Sequence, residues 1–228
     1  MELKIDFHVH TTASKDGVAS IEDVIAMAKM KGLDGVAITD HDVPMTVERS
    51  RWLSNDSNFI VLPGVEISTK SGHIILLFPQ GEMPKRPSVN EVLDLADGLG
   101  APVIIPHPTD PLSQGVGERT VRSILRSNPA LEVFNASTFF LYNRHAKKLA
   151  NEFGLCEVAG SDAHVASAVG CAYTIVEAED RTISEIVEAV WARKTRICGS
   201  YTPVTSLLEL TLRRVRRKLG TLFDTPLS

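Results

Sequence analysis

The sequence predicts an α/β fold built on a largely parallel sheet. Short apolar runs rich in β-branched residues alternate with longer segments of helical periodicity along the 228 residues, and this alternation is typical of repeated βα units. Histidine and aspartate cluster at the ends of the short runs, where a parallel sheet collects its functional side chains. Hydrophobic residues make up 43% of the chain and charged residues 23%, so the composition predicts one globular domain spanning residues 1–228.

Strands and helices alternate in the predicted chain order. The strands cover residues 3–8, 35–39, 59–62, 73–78, 102–106, 131–135, 156–159 and 173–176. The helices cover residues 20–31, 44–54, 88–99, 117–126, 142–153, 182–193 and 203–220. The starts at Ser20 and Ser88 rest on N-cap chemistry, because Asp23 and Glu91 follow three residues later, where a capping serine binds the backbone.

Charge and cysteine content limit the expected partners and compartment. The formal net charge of -4 gives no overall attraction to nucleic acid or to anionic lipid. The sequence shows no apolar signal segment after Met1 and no run of about 20 apolar residues, so we expect no membrane association. Three cysteines without a CxxC pair favour reduced thiols and a cytoplasmic location.

One basic run stands out near the carboxyl end. Arg213-Arg214-Val215-Arg216-Arg217-Lys218 lies on the helix predicted at 203–220. Long basic side chains can lie along a solvated helix face, or they can contact phosphate groups or nucleic acid. The sequence leaves both interpretations open.

The first strand ends in a motif typical of metal binding. Asp6, His8 and His10 occupy alternate positions, and the period of two in a strand sends alternate side chains to one face. His8 and His10 are therefore candidate ligands, and Asp6 is a candidate for orienting an imidazole from behind. Asp16, in the loop that ends at Gly17, is either a ligand or a turn former.

Polar residues also follow the next two strands. Asp40 and His41 come directly after an apolar run, and buried polar groups are costly unless they are paired or bind metal. We expect Asp40 to orient and His41 to ligate. Glu66 follows a predicted turn at residues 63–64, and its two oxygens can bridge two cations. His73 opens the following strand, at the wrong end for a ligand unless that strand is antiparallel or its loop folds back.

Three later segments add candidates. His107, between two prolines, follows the strand at 102–106, and Asn135 ends the strand at 131–135 as a weak, neutral oxygen ligand. Asp162 and His164 follow the strand at 156–159 and repeat the two-residue spacing of the first motif. His145, in the middle of a helix beside two lysines, is expected at the surface.

This ligand set predicts more than one bound cation. Nitrogen and oxygen donors without cysteine suit Zn²⁺, Mn²⁺ or Fe²⁺. The histidines and carboxylates at the strand ends exceed the needs of one ion, so the sequence predicts two or three divalent cations. Clustered cations fit hydrolysis by in-line attack, because they lower the pKa of a bound water and offset charge on a phosphoryl group.

The order of DxHxH, TDH, GxE, a strand-end HP and a late SDAH resembles the PHP (polymerase and histidinol phosphatase) superfamily, especially its short, stand-alone phosphoesterases. The resemblance covers residues 3–200. It implies an irregular TIM-like (β/α)7 barrel with helices outside and up to three bound ions.

The resemblance also implies how the ligands are shared. It assigns His8, His10, Glu66 and Asp162 to one ion, Glu66, His107 and the Asn135 position to a second, and Asp16, His41 and His164 to a third. Asn135 departs from the family pattern, which often has histidine there. His73 matches a histidine that stand-alone members carry after the bridging glutamate, so it is expected to be a ligand or a phosphate contact.

The activity that the resemblance implies is hydrolysis of a phosphoester by a metal-bound hydroxide, with His73 or Arg119 binding phosphate oxygens. The substrate would be a small phosphorylated molecule: a nucleotide, a short RNA end or a phosphomonoester such as histidinol phosphate. Two alternatives stay open. A metal-dependent amidohydrolase also begins with HxH on a barrel strand, and some PHP modules bind metal without catalysis. The oligomeric state is not predicted.

Overall fold

Strands and helices alternate in the structure, a computed structural model that describes residues 1–55 and 59–223. Residues 56–58 and 224–228 of the predicted domain lie outside the described residues. The strands are β1 (Glu2–Val9), β2 (Gly35–Ile38), β3 (Ile60–Thr69), β4 (Gly72–Leu77), β5 (Val103–Ile105), β6 (Ala130–Asn135), β7 (Cys156–Gly160), β8 (Ala172–Glu177) and β9 (Thr195–Gly199). The helices are α1 (Ile21–Met30), α2 (Val47–Asn55), α3 (Val89–Leu99), α4 (Glu118–Ser123), α5 (Phe140–Phe153), α6 (Ile183–Trp191) and α7 (Val204–Phe223).

The described strands form one sheet that nearly closes into a barrel, in the order β7-β6-β5-β4-β3-β2-β1-β8-β9. Strands β1 to β3 are parallel to one another, as are β5 to β7. Strand β7 packs against β1, and beyond it Asp162 donates its backbone N–H to His8 O at 2.8 Å while His10 donates to Ala163 O at 2.9 Å. The predicted α/β fold with an irregular (β/α)7 barrel is confirmed.

Strand β4 runs antiparallel to both of its neighbours. A tight connection at Lys70-Ser71 joins β3 to β4, and Gly72 opens β4 with a φ of 124°, a conformation that only glycine adopts readily. His73 pairs with Ser68 near the end of β3. The first residues of β4 therefore lie at the carboxyl end of the parallel strands, which resolves the question that the sequence left open for His73.

The predicted N-caps are confirmed at two helices. Ser20 Oγ accepts the Asp23 backbone N–H at 3.1 Å, ahead of α1. Ser88 Oγ accepts the Glu91 backbone N–H at 3.3 Å, and Glu91 accepts the Ser88 N–H in return at 2.6 Å. Each cap satisfies backbone donors that the first helical turn leaves unpaired, which is worth about 1 kcal/mol.

Two predicted elements differ from the structure, and one strand was not predicted. Strand β3 continues through the predicted turn, because Gly64 pairs with Leu77 of β4 and a side chain there would come within 3.0 Å of Ile38 O. The predicted helix at 117–126 ends early as α4, and a separate 3₁₀ turn follows it before Asn128 adopts a φ of 44°. Strand β9 was not predicted, because its pairing to β8 is long-range and its residues are only partly buried.

Helix α7 is fixed to the loop that follows β1. Arg214 Nε donates to Asp16 O at 3.0 Å, and Arg217 donates to Gly17 O at 2.9 Å. Arg213, on another face, pairs with Glu209 at 2.8 Å. Parts of the basic run thus anchor the helix rather than only facing solvent. No helix within residues 1–55 and 59–223 has the length and apolar character needed to cross a membrane.

We predict that Gly160→Ala destabilises the fold. A Cβ at residue 160 would lie 2.3 Å from the Cβ of His8 and 2.7 Å from Glu132 Oε1, so β7 or β1 must shift. Overpacking of this kind costs about 1–3 kcal/mol, which urea unfolding measures. Gly98→Ala is the matched control, because a Cβ in that part of α3 meets no atom within 4 Å and should stabilise the helix by about 0.5–1 kcal/mol. Equal stability of the Gly160 variant and the unmodified protein would contradict this packing.

Candidate metal centre

The carboxylate of Glu66 lies at the barrel end where the predicted ligands meet. Glu66 is fully buried in β3. Its Oε2 atom is 3.4 Å from His8 Nε2, 3.3 Å from His10 Nε2 and 3.0 Å from His41 Nδ1. His8 and His10 reach it together because they share one face at the end of β1, and their Nε2 atoms are 3.0 Å apart.

The second oxygen of Glu66 faces two further imidazoles. Its Oε1 atom is 3.0 Å from His73 Nδ1 and 3.1 Å from His107 Nε2. His73 comes from the antiparallel β4, and His107 follows β5 with a φ of 29°, which is uncommon for a residue with a side chain. One carboxylate therefore separates two groups of imidazole nitrogens, with three on one oxygen and two on the other.

Asp162, in the segment after β7, faces two imidazoles of the first group and also His164. Its Oδ1 atom is 3.6 Å from His8 Nε2, 3.3 Å from His10 Nε2 and 3.5 Å from His164 Nδ1. Asp162 has a φ of 52° and is held by its backbone bond to His8. The closure of the barrel thus places the Asp162 carboxylate next to His8 and His10. The four residues that the resemblance assigns to the first ion therefore lie together.

Asp16 extends the cluster toward solvent. Its Oδ2 atom is 2.8 Å from His164 Nε2 and 3.5 Å from His41 Nε2. The ring of His10 stacks between these two imidazoles, with centroid distances of 4.5 Å to His41 and 4.3 Å to His164. The structure therefore brings together the three residues assigned to a third ion.

These donors fit divalent cations. Four groups of donor atoms each lie within 4.8 Å of one another: His8, His10 and Glu66; His8, His107 and Asp162; His10, His41 and His164; His41, Glu66 and His73. Among the described residues, His107 Nδ1 and Asp16 Oδ1 are buried atoms without a hydrogen-bond partner. Glu66 Oε2, His41 Nδ1 and His73 Nδ1 make close charged contacts that lack hydrogen-bond geometry. Coordination of a cation is one way to satisfy buried polar groups of this kind. The donor chemistry suits Zn²⁺, Mn²⁺ or Fe²⁺.

The cluster perturbs its own protonation strongly. Burial favours neutral His8, but the carboxylates of Asp162, Glu132 and Glu66 outweigh it and raise the pKa of His8 well above its usual range. Burial likewise opposes the charge on His10, yet Asp162 and Glu66 raise the pKa of that ring to about 9. Without cations, protons on His8 and His10 balance part of the buried carboxylate charge.

Glu132 is a buried carboxylate behind the cluster that the sequence analysis did not assign. Its Oε1 atom lies 3.1 Å from His8 Nδ1, and its Oε2 atom accepts the His107 backbone N–H at 2.7 Å. A carboxylate behind a ligating imidazole fixes the tautomer and orientation of the ring. The only sequence signal was an acidic residue inside the apolar run of β6.

Asn135 takes a different place from the one the family pattern implies. Its amide nitrogen donates to Glu132 Oε2 at 2.9 Å and to Asp162 Oδ2 at 3.3 Å, and its amide oxygen accepts the Ser137 N–H at 2.9 Å. The oxygen therefore faces the backbone and not the second set of donors. His73 faces Glu66 Oε1 beside His107 instead.

Asp6 supports the cluster through the backbone. It accepts backbone N–H groups from Ser161 at 2.9 Å, Gly170 at 2.9 Å and His8 at 3.2 Å, so it fixes the segment before Asp162 and contacts no imidazole directly. Burial raises the pKa of Asp6 to about 6. The carboxylate that contacts the His8 ring is Glu132, and the orienting role of Asp6 stays a prediction.

Asp40 supports the loop after β1. It accepts the Thr11 backbone N–H at 2.6 Å and the Ser14 hydroxyl at 2.6 Å. The same Ser14 Oγ lies 3.3 Å from His10 Nδ1 and accepts the His41 backbone N–H at 2.9 Å. Asp40 thus orients His10 through Ser14.

A cavity of about 350 Å³ opens onto the cluster. Helix α7 forms one wall with Leu207, Leu210 and Arg214. The guanidinium of Arg214 is 3.7 Å from Asp16 Oδ2. Arg119 is exposed on α4 and does not line this cavity. The phosphate contact of Arg119 therefore stays a prediction, and Arg214 is the arginine that lines the cavity.

Two family models and several relatives match this chain. The PHP domain model matches residues 6–156, and the PHP-associated model matches residues 140–195. A "probable phosphatase" of Shewanella halifaxensis is 31% identical over 225 residues, covering 82% of this chain and 89% of the relative.

Solved structures share the fold. A two-domain protein of Bacteroides vulgatus, described as containing a "predicted PHP-like metal-dependent phosphoesterase", superimposes with a TM-score of 0.70 at 22% identity. The alignment covers 88% of this chain, which spans 65% of that protein's length. A lesion-specific endonuclease of Pyrococcus furiosus aligns with a TM-score of 0.64 at 18% identity, over 86% of this chain and 58% of the other. The chain belongs to the PHP family.

We predict that Glu132→Gln weakens metal binding by about ten- to a hundred-fold, because it keeps the shape of the side chain but removes the charge behind His8. Titration with Mn²⁺ by calorimetry measures the affinity. Glu177→Gln at the exposed end of β8 is the matched control and should bind as the unmodified protein does. Equal affinity of both variants would show that Glu132 does not support His8.

Metal binding should also release protons. His10, whose pKa is about 9 in the metal-free protein, carries a proton at neutral pH that a cation must displace. Mn²⁺ affinity should therefore rise with pH until about pH 9. Calorimetry in two buffers of different ionisation enthalpy counts the released protons, and an enthalpy independent of the buffer would contradict this linkage.

Proposed function

We propose that this protein is a metal-dependent phosphoesterase that hydrolyses a small phosphorylated substrate at the Glu66 cluster, with two or three Zn²⁺, Mn²⁺ or Fe²⁺ ions. The observation that carries the proposal is the position of Glu66. Its two oxygens face separate groups of imidazoles at 3.0–3.4 Å, which is the arrangement a carboxylate needs to bridge two cations.

The residues divide into three ligand sets. His8, His10, Glu66 and Asp162 would hold one ion, Glu66, His73 and His107 a second, and Asp16, His41 and His164 a third. When bound, such ions lower the pKa of water and offset the negative charge of a phosphoryl group. His73 thus takes the role that the family pattern gives to the Asn135 position. Asn135 and Glu132 would hold the ligands in place from behind.

The chain also supplies a cation of its own. Arg214 lines the cavity from α7, and its guanidinium presents several N–H donors in a plane that matches phosphate oxygens. In hydrolysis, the oxygen of water bonds to phosphorus, the bond between phosphorus and the ester oxygen breaks, and the alcohol leaves with a proton. Arg214 would position the phosphoryl group for that exchange.

Small substrates suit the site best. The cavity of about 350 Å³ holds a nucleotide-sized molecule, and the net charge of -4 gives no long-range attraction to a polynucleotide. A nucleotide, a short RNA end or another small phosphomonoester therefore fits the proposal. A cytoplasmic location is proposed with it, since Cys156, Cys171 and Cys198 are all free thiols.

Two other functions give different experimental results. An amidohydrolase of this kind would resemble proteins with a bridging lysine, and among the described residues that line the cavity there is no lysine. Hydrolysis of a cyclic amide panel without phosphate release would favour that class. A non-catalytic PHP module would bind fewer than one ion per chain after reconstitution with Mn²⁺ or Zn²⁺, by elemental analysis.

With Mn²⁺, the purified protein should release phosphate from a phosphoester panel of nucleotides, short RNA and histidinol phosphate, and His8→Ala should abolish release because it removes a donor next to Glu66. A colorimetric phosphate assay measures both. His145→Ala is the control, since His145 is exposed and pairs only with Glu118 at 2.9 Å among the contacts described. Full activity of the His8 variant would contradict the assignment.

Arg214→Gln should lower kcat/KM for the best phosphoester by about ten- to a hundred-fold, because a hydrogen bond to a charged group is worth about 1.5–3 kcal/mol. Arg217→Gln controls for the anchoring of α7, since Arg217 contacts the same loop without lining the cavity. Arg119→Gln should be neutral. A loss in the Arg119 variant with none in the Arg214 variant would restore the original expectation.

A further inference from the structure

Three exposed aromatic residues lie next to the metal cavity. Phe139, Phe140 and Tyr201 are 56%, 50% and 44% exposed, and we call them the aromatic shelf. They line a recess of about 400 Å³ together with Thr138 and Leu207. Large aromatic rings bury much apolar area when covered, so a group of them left open beside a polar cavity marks a binding surface.

The recess is continuous with the metal cavity. Ser137, Thr202 and Leu207 line both. Ser137 Oγ lies 3.2 Å from Ser161 O, 3.4 Å from Asp162 O and 3.3 Å from Thr202 Oγ1. The junction between the two spaces is therefore bonded directly to the backbone of the ligand Asp162. A molecule with its phosphate at the cluster can extend over this junction onto the shelf.

The shelf is held firmly in that position. Asn143 of α5 accepts the Asn135 backbone N–H at 3.0 Å and donates to Asn135 O at 2.9 Å, which ties the start of α5 to the end of β6. The rings of Phe139 and Phe140 are 4.6 Å apart, and Tyr201 lies 5.2 Å from Phe134. A preformed surface of this kind binds a flat ring at little entropic cost.

We propose that the aromatic shelf binds the base of a nucleotide whose phosphate is hydrolysed at the cluster. The inference rests on the proposed function and narrows its substrate class from any small phosphoester to one with a planar heterocycle in the leaving group. Stacking on aromatic side chains accepts any base, because each has a π-face. The three rings of the shelf supply the stacking surface.

Paired ligands that differ only in the base test the inference. The methylene phosphonate analogues of adenosine 5′-monophosphate and ribose 5-phosphate carry a CH₂ group in place of the ester oxygen, so neither is turned over. Calorimetry on the Mn²⁺-loaded protein should show about ten-fold or tighter binding of the adenosine analogue. Tyr201→Ala and Phe140→Ala should bring the two affinities to within about two-fold by weakening only the adenosine analogue.

Trp52→Ala is the matched control, because Trp52 is an aromatic residue on α2 that is 73% exposed and lies outside the recess. This variant should still bind the adenosine analogue more tightly than the ribose analogue. Melting temperatures would verify that each variant is folded. Equal binding of both analogues by the unmodified protein would overturn the inference. So would shelf variants that still prefer the adenosine analogue. The shelf would then be a contact surface for a protein partner.

Hydrolysis of the two natural phosphates, measured in parallel, separates this inference from the proposed function. A binding preference that depends on the shelf, without hydrolysis of any phosphoester, would contradict the proposed function and leave base recognition standing. Hydrolysis of both phosphates at equal kcat/KM, together with equal binding of the analogues, would support the proposed phosphoesterase function. It would contradict the inference that the shelf binds a base.

Discussion

The buried carboxylate of Glu66 among five imidazoles is the interaction on which the rest of the structure depends. A buried charge without compensation is unstable in a protein interior. Burial tends to neutralise Glu66, but His8 and the other imidazoles outweigh it and hold the pKa of this carboxyl well below its usual range. Burial opposes the charge on His8, His10 and His107, but the neighbouring carboxylates outweigh it and raise the pKa of these three rings, so a cation that binds them replaces protons.

Three features of the barrel bring the ligands to Glu66. Antiparallel β4 turns His73 toward the end of the barrel where the parallel strands finish. The backbone bonds between β1 and the segment after β7 place Asp162 beside His8. Positive φ at His107 and Asp162 costs about 1–3 kcal/mol per residue, and tertiary contacts hold both conformations. The backbone of these two proposed ligands is therefore set by tertiary contacts and not by local preference.

Much of the site could be predicted from the sequence because its motifs are local. The HxH of β1 needs only the period of two in a strand, and the residues after β2 and β7 need only the rule that functional groups follow parallel strands. Long-range information was missing where the prediction failed. The direction of β4 depends on pairing with β3 and β5, and the role of Glu132 depends on which ring lies across the barrel. Arg214 reaches the cavity through the docking of α7 onto a loop 198 positions earlier in the chain, which no local pattern reveals.

The central claim is that Glu66 bridges cations, and the metal stoichiometry of Glu66→Gln tests it most directly. The substitution keeps the side-chain shape but removes the charge that both imidazole groups share. Elemental analysis after reconstitution with Mn²⁺ should find two or three ions per chain in the unmodified protein and at most one in the folded variant. An unchanged stoichiometry in the variant would contradict the account.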